Sequence, residues 1–239
     1  MTNVVSERLS KLNAVQEALL LWAASFVAIV ISFVIWRDAA KVVATVTFLY
    51  LPLLAMDLRG EDYPDYGVTL SKWKQDLGLF ALFVAIVTPL YALGFVVYQQ
   101  GLHVLPPEVS ARLSPLSGVP HFHFRLPDRF GEWVIDQIFV VALPEEFFYR
   151  GYIQTRLRDA WPQGRKFLGV RLGPAFWVTA ALFALGHLAI FEVWRLGVFF
   201  PALLFAWMRE KTGTVLGSAL FHAYCNLLAL VMTASFFGR

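Results

Sequence analysis

The chain has 239 residues, 58% of them hydrophobic and 15% charged, with a formal net charge of +3, whereas a soluble domain carries roughly a quarter charged residues. This composition, with 22 Phe, 8 Trp and a mean hydropathy of +0.61, excludes an ordinary water-soluble domain. The small, scattered charge gives no footprint for nucleic acid and leaves lipid headgroups as the partner of the cations, and the single cysteine, Cys225, excludes an internal disulfide.

Apolar segments recur at about 15–36, 42–56, 77–98, 132–149, 175–191, 195–208 and 214–237. Each approaches the roughly 20 residues that cross a bilayer. The expected fold is an all-α polytopic transmembrane helix bundle of about seven spans, six to eight, forming a single integral membrane domain over residues 1–239. The first segment is longer than the apolar core of a signal peptide and lacks a small-residue cleavage site, so it reads as a retained span. The second and sixth are the shortest and fit half-spans or buried helices as well.

Between the second and third segments, Leu70, Trp73 and Leu77 fall on one helical face opposite Lys72 and Asp76. That pattern predicts a helix lying in the membrane interface over 63–77. A polar loop or cap follows the third segment, over residues 99–131, and contains Pro120-His121-Phe122-His123-Phe124. His121 and His123 alternate as on a strand, but two histidines without a third ligand read as loop rather than metal site. Counted in alternate loops, Lys and Arg are richer on the amino-terminal side, chiefly through Arg156, Arg158, Arg165, Lys166 and Arg171. The positive-inside rule then places the amino terminus in the cytoplasm.

The fourth segment carries Pro144-Glu145-Glu146-Phe147-Phe148-Tyr149-Arg150-Gly151. An ionised residue at a span centre costs about 2.5–3.5 kcal/mol, so adjacent acids there need internal partners or a wet cavity. Glu146 and Arg150 are four apart and share a helical face, which predicts an ion pair. Glu145 points about 100° away and is left for another task. Pro144 is expected to kink the helix and free backbone groups near Glu145.

The later spans add Phe183 and His187, four apart, and His222 and Asn226, also four apart. If these helices converge, the site holds a general base in Glu145, an orienting imidazole in His187 and two donors suited to an oxyanion in His222 and Asn226. Other readings stay open. Two histidines and a glutamate also make a three-ligand zinc site; Cys225 offers a thiol; Ser218 and His222 suggest a serine hydrolase; and polar residues in membrane helices also serve as interhelical glue in a scaffold or immunity protein.

Glu145-Glu146-x-x-x-Arg150-Gly151, Phe183-x-x-x-His187 and His222-x-x-x-Asn226, with Lys211-Thr212-Gly213 before the last, resemble the CPBP family of intramembrane proteases. That family includes the CAAX prenyl endopeptidases and bacterial Abi-type proteins. The resemblance covers a core of residues 132–226. It implies a glutamic-type intramembrane endopeptidase in which Glu145, assisted by His187, activates water. His222 and Asn226 then stabilise the oxyanion, Glu146, Arg150 and Phe183 support the site structurally, and no cofactor is needed, with zinc left open. The implied substrate is a membrane-embedded or membrane-anchored protein or peptide. It is either a prenylated CAAX peptide or a bacterial membrane protein trimmed near its carboxy terminus, as by myxosortase-like relatives. The short chain and minimal cap favour the second, in a bacterial inner membrane.

Overall fold

The computed structural model describes residues 12–114, 116 and 121–238. Pro120 of the cap motif lies outside them, as do Arg8, Lys11 and Arg239, which enter the Lys and Arg count of the loops. The chain is an all-α helical membrane protein, and four of its helices are long and apolar enough to cross a bilayer. These are α1 (Ala14–Ile35), α2 (Ala39–Arg59), α3 (Trp73–Leu102) and α8 (Leu216–Phe237). Asn13 opens α1 with a capping box, accepting from the Gln16 amide while the Gln16 side chain accepts from the Asn13 amide, which satisfies two of the donors a helix start leaves unpaired. Gly60, at φ +69°, closes α2 in the left-handed conformation that glycine adopts without strain.

Between them come short helix α4 (Pro107–Leu113) and a continuous helical run, α5, assembled from Phe130–Ile135, Asp136–Ala142, Leu143–Glu146, Phe147–Ile153 and Gln154–Ala160. Two stretches of α5, Asp136–Ala142 and Phe147–Ile153, are wound as π-helix, a form that recurs at functional sites. They flank the single α-turn that carries Pro144, Glu145 and Glu146. Pro144 has no N–H to donate back along the helix, and just before it the Thr45 hydroxyl on α2 donates to the Val140 carbonyl at 2.8 Å, so a neighbouring helix supplies a donor to the backbone there.

After α5 comes a two-stranded antiparallel hairpin, β1 (Arg165–Phe167) and β2 (Val170–Leu172). Helix α6 (Pro174–Gly186) follows, then 3-10 turns at His187–Ile190 and Val193–Val198, and α7 (Phe199–Thr212). At 13 and 14 residues, α6 and α7 span only about 20 Å each against a hydrocarbon core of about 30 Å. The fifth and sixth apolar segments therefore reach across only with their 3-10 turns, and His187 stands where the first of them tightens.

The expected interfacial helix over 63–77 is not present. Residues Tyr63–Tyr66 form a 3-10 turn and Trp73 already begins α3. One polar member of the face also departs from the pattern: Asp76 is fully buried while Lys72, Leu70, Trp73 and Leu77 are exposed. The reason is local, since the Asp76 carboxylate accepts from the Thr214 hydroxyl at 2.7 Å and so turns inward, pinning the start of α3 to the α7–α8 junction.

The 99–131 insert is partly helical, since α3 runs on to Leu102. His121 and His123 donate their backbone N–H groups to Phe236 and Ser235 carbonyls at 3.3 and 2.8 Å, a backbone role at the end of α8. On the opposite side, the buried carboxylate of Glu17 in α1 accepts from Arg59, from the Tyr152 hydroxyl and from Arg156. Arg156 reaches Glu61 as well, at 3.3 Å. Burial and the Glu61 carboxylate push the Tyr66 phenol above its ordinary range, so its hydroxyl remains the donor to Glu61. This polar knot joins α1 and α2 to α5.

Candidate active site

Helix α5 brings Glu145 and Glu146 into the interior together. Glu146 is fully buried, and its Oε1 accepts from Arg150 Nη1 at 2.9 Å and from His222 Nδ1 at 3.0 Å. Arg150, equally buried, donates through Nη2 to the Ala202 carbonyl of α7 at 3.1 Å. Its guanidinium lies 4.3 Å from the Phe183 ring centre and 5.1 Å from that of Phe205. A buried ion pair holds better when further protons find acceptors and its faces are packed; the Ala202 carbonyl takes one Nη2 proton, and Phe183 and Phe205 pack the guanidinium faces. Phe183 thus serves as the floor under the guanidinium.

His222 is the link that spacing did not reveal. Its ring stacks on Phe205 at 4.8 Å and meets Phe183 edge-on at 5.6 Å, so its plane is fixed. A carboxylate only accepts, so the Nδ1 facing Glu146 carries a proton. Nε2 lies 3.9 Å from Glu145 Oε2. One imidazole therefore stands between the two glutamates, bonded to one and facing the other.

Glu145 differs from its neighbour. Its side chain is 17% exposed, and its Oε2 is buried without a hydrogen-bond partner among the described residues, as are Glu146 Oε2 and Arg150 Nε. His187 lies within electrostatic reach of both Glu145 and His222. Its Nδ1 is 2.9 Å from the Phe183 carbonyl, and a carbonyl accepts only, so Nδ1 is the protonated nitrogen and Nε2 of the neutral ring is an acceptor. The rings of Phe183 and His187 lie 4.7 Å apart.

Gly186 makes room for this approach: a Cβ there would strike the Tyr149 hydroxyl on α5. From the other side Trp22 donates to the Leu182 carbonyl at 3.0 Å, locking α1 to α6 one turn before His187.

Asn226 stands one turn beyond His222 on α8, and its Nδ2 donates to Gln137 Oε1 at 2.8 Å. Gln137, in the first π-helical stretch, was not among the residues singled out from sequence; an amide eight positions before the glutamates carries no periodic signal. Glu145, Glu146, Arg150, Phe183, His187 and His222 thus gather at one place, with Asn226 at its edge held by Gln137. Among the described residues, no three His, Cys, Asp or Glu side chains are placed to hold a metal ion together. Cys225 is half-buried on α8, and Ser218 donates to the Val215 carbonyl at 3.0 Å within its own helix.

A family model described as Rce1-like, type II CAAX prenyl endopeptidase, matches residues 131–228. No curated protein and no solved structure matches the chain. The match spans the segment from the start of α5 to the middle of α8, every clustered residue included, and it agrees with the CPBP resemblance of the motifs. The match supports a likeness of the segment 131–228 to the CAAX-type family of intramembrane endopeptidases.

Proposed function

We propose that the protein cleaves a peptide bond of a membrane-embedded or membrane-anchored protein or peptide, near its carboxy terminus, with a water activated by Glu145. The observation that carries this reading is the buried, unpartnered Oε2 of Glu145 beside the Nε2 of His222. A gap of 3.9 Å is longer than a direct hydrogen bond and suits a bridging water.

In this mechanism Glu145 takes one proton from water as its oxygen adds to the carbonyl carbon, and His187 Nε2 accepts a hydrogen bond from the O–H that remains, which fixes the line of attack. The carbonyl oxygen becomes an oxyanion. Asn226 Nδ2 has a hydrogen left after bonding Gln137, and His222, which keeps a proton on each ring nitrogen throughout the cycle, presents Nε2–H. These two donors stabilise the charge. When the C–N bond breaks, Glu145 returns its proton to the leaving amine, so the enzyme regains its starting state. Glu146 and Arg150 hold the α5 turn and the His222 ring. The substrate must unwind locally, because an intact helix keeps its carbonyls in hydrogen bonds.

The small cap favours a bacterial membrane protein or sorting segment over a prenylated peptide, and the richer Lys and Arg content of the hairpin side favours a cytoplasmic amino terminus in an inner membrane. The test compares membrane proteomes of cells making the wild-type protein and Glu145→Gln. New carboxy-terminal or membrane-proximal ends present only with the wild type are expected. Identical termini in both would overturn the protease reading in favour of a scaffold.

A further inference from the structure

The hairpin between α5 and α6 has features that the site does not use. Lys166 on β1 stands directly opposite Arg171 on β2, and like charges in that position repel. Arg165, Lys166 and Arg171 are all exposed. Arg171 donates to the Pro162 carbonyl at 3.1 Å, which fixes its position without offsetting its charge. The carboxylates around it, Asp159 and Glu210, share one hollow with Arg158 and Arg171, and Glu210 is already engaged by Arg158 at 3.8 Å and by Gln154 at 2.9 Å.

The tip is apolar. Phe167 is 57% and Leu168 68% exposed, and Leu168 sits at φ +48° ahead of Gly169 at φ +81°. That left-handed pair makes a tight hairpin turn, but leucine is an unfavourable residue there. A bulky side chain is thus held outward at a position that asparagine or glycine would occupy more easily.

Two contacts set the depth of this tip. Lys211, in the last turn of α7, donates to the Leu168 carbonyl at 3.3 Å. Three residues later Thr214 is bonded to Asp76, and Asp76 follows by three residues the exposed Trp73, over which Lys74 lies. Trp and Lys at a helix start mark the bilayer interface, so Phe167 and Leu168 stand within about two helical turns of that level.

We propose that this hairpin docks on the bilayer surface, with Phe167 and Leu168 inserted among the acyl-chain ends and Arg165, Lys166 and Arg171 on anionic lipid headgroups. The headgroup phosphates relieve the Lys166–Arg171 repulsion. Because the hairpin joins α5 to α6, docking also steadies the two helices that carry Glu145 and His187.

The test uses the full chain in vesicles, with Leu168→Cys in a Cys225→Ser background labelled with an environment-sensitive dye. The vesicles are phosphatidylcholine alone or mixed with phosphatidylglycerol, each with a nitroxide-bearing lipid as quencher. Strong quenching that needs phosphatidylglycerol and fades with added salt is expected. Neutralising the cations with Arg165→Gln, Lys166→Gln and Arg171→Gln should lower the ratio of docked to undocked tip on the order of a hundredfold. Retained helicity and thermal midpoint of that variant keep the comparison valid. A dye that stays in water in both lipids would overturn docking and leave the face to a soluble protein partner. Equal quenching in both lipids, unaffected by the substitutions, would overturn the role of the cations.

Discussion

The Nδ1 of His222 on α8 lies 3.0 Å from Oε1 of Glu146 on α5, and this bond joins the two ends of the family-matched segment. It gives His222 two duties, holding a buried carboxylate and presenting Nε2 toward Glu145. His222→Ala should therefore lose activity by about 10²–10³-fold, the usual effect of removing an oxyanion donor, and also lose about 1.5–3 kcal/mol of stability with the hydrogen bond to the buried Glu146 carboxylate, which then keeps only Arg150 as its donor among the described residues. Asn226→Ala, which removes a bond to Gln137 at the edge of the cluster, should show the activity loss with little change in thermal midpoint, and Gln137→Ala a milder loss in kcat. Thermal unfolding in detergent alongside peptide-cleavage rates separates the three.

The two adjacent glutamates should fail in different ways. Glu145→Gln keeps the shape of a side chain whose Oε2 has no hydrogen-bond partner, so the protein should fold normally and lose at least about 10²–10⁴-fold in rate, the range for a general base. Glu146→Ala leaves Arg150, fully buried, without its carboxylate, and breaking one side of a buried pair costs about 3–5 kcal/mol. Yield of monodisperse protein and its unfolding midpoint should fall for Glu146→Ala alone.

His187 offers a test by mimicry. Its Nδ1 is taken up by the Phe183 carbonyl, so the nitrogen available to a water is Nε2. His187→Gln places an amide near the Nε2 position, whereas His187→Asn reproduces only Nδ1. Gln should retain measurably more turnover than Asn, while Asn should better preserve the α6 terminus. Equal activity of the two would remove Nε2 from the mechanism.

Gly186→Ala should push Tyr149 out of place, because the added methyl meets the phenolic oxygen while the ring carbon behind it is 3.5 Å away, an ordinary contact. Overpacking of this kind costs about 1–3 kcal/mol. Tyr149→Phe in the same chain removes the offending oxygen, so the double variant should recover much of the stability and of the cleavage rate. A double-mutant cycle on unfolding midpoints measures the coupling.

What could be read beforehand divides along a physical line. Periodicity within one helix shows which side chains share a face, and so the Glu146–Arg150 pair and the Phe183–His187 stack are visible in spacing alone. Bonds between helices leave no such trace: His222 to Glu146, Asn226 to Gln137 and Asp76 to Thr214 each join residues far apart in sequence. Asp76 shows how one such bond overrides an amphipathic pattern and turns a single polar residue inward. The hairpin escaped notice because its turn is Leu-Gly rather than Asn-Gly, and the π-helical stretches of α5 because a change of helical pitch has no residue signature beyond Pro144.

Glu17 sits on α1, far outside the segment that the family description covers, and yet the hydroxyl of Tyr152 and the guanidinium of Arg156 on α5 depend on its carboxylate. The recognisable signature is therefore smaller than the object that works. Anyone transplanting this site into another scaffold, or building a minimal version of it, would have to bring the first helix along or supply a new acid in its place.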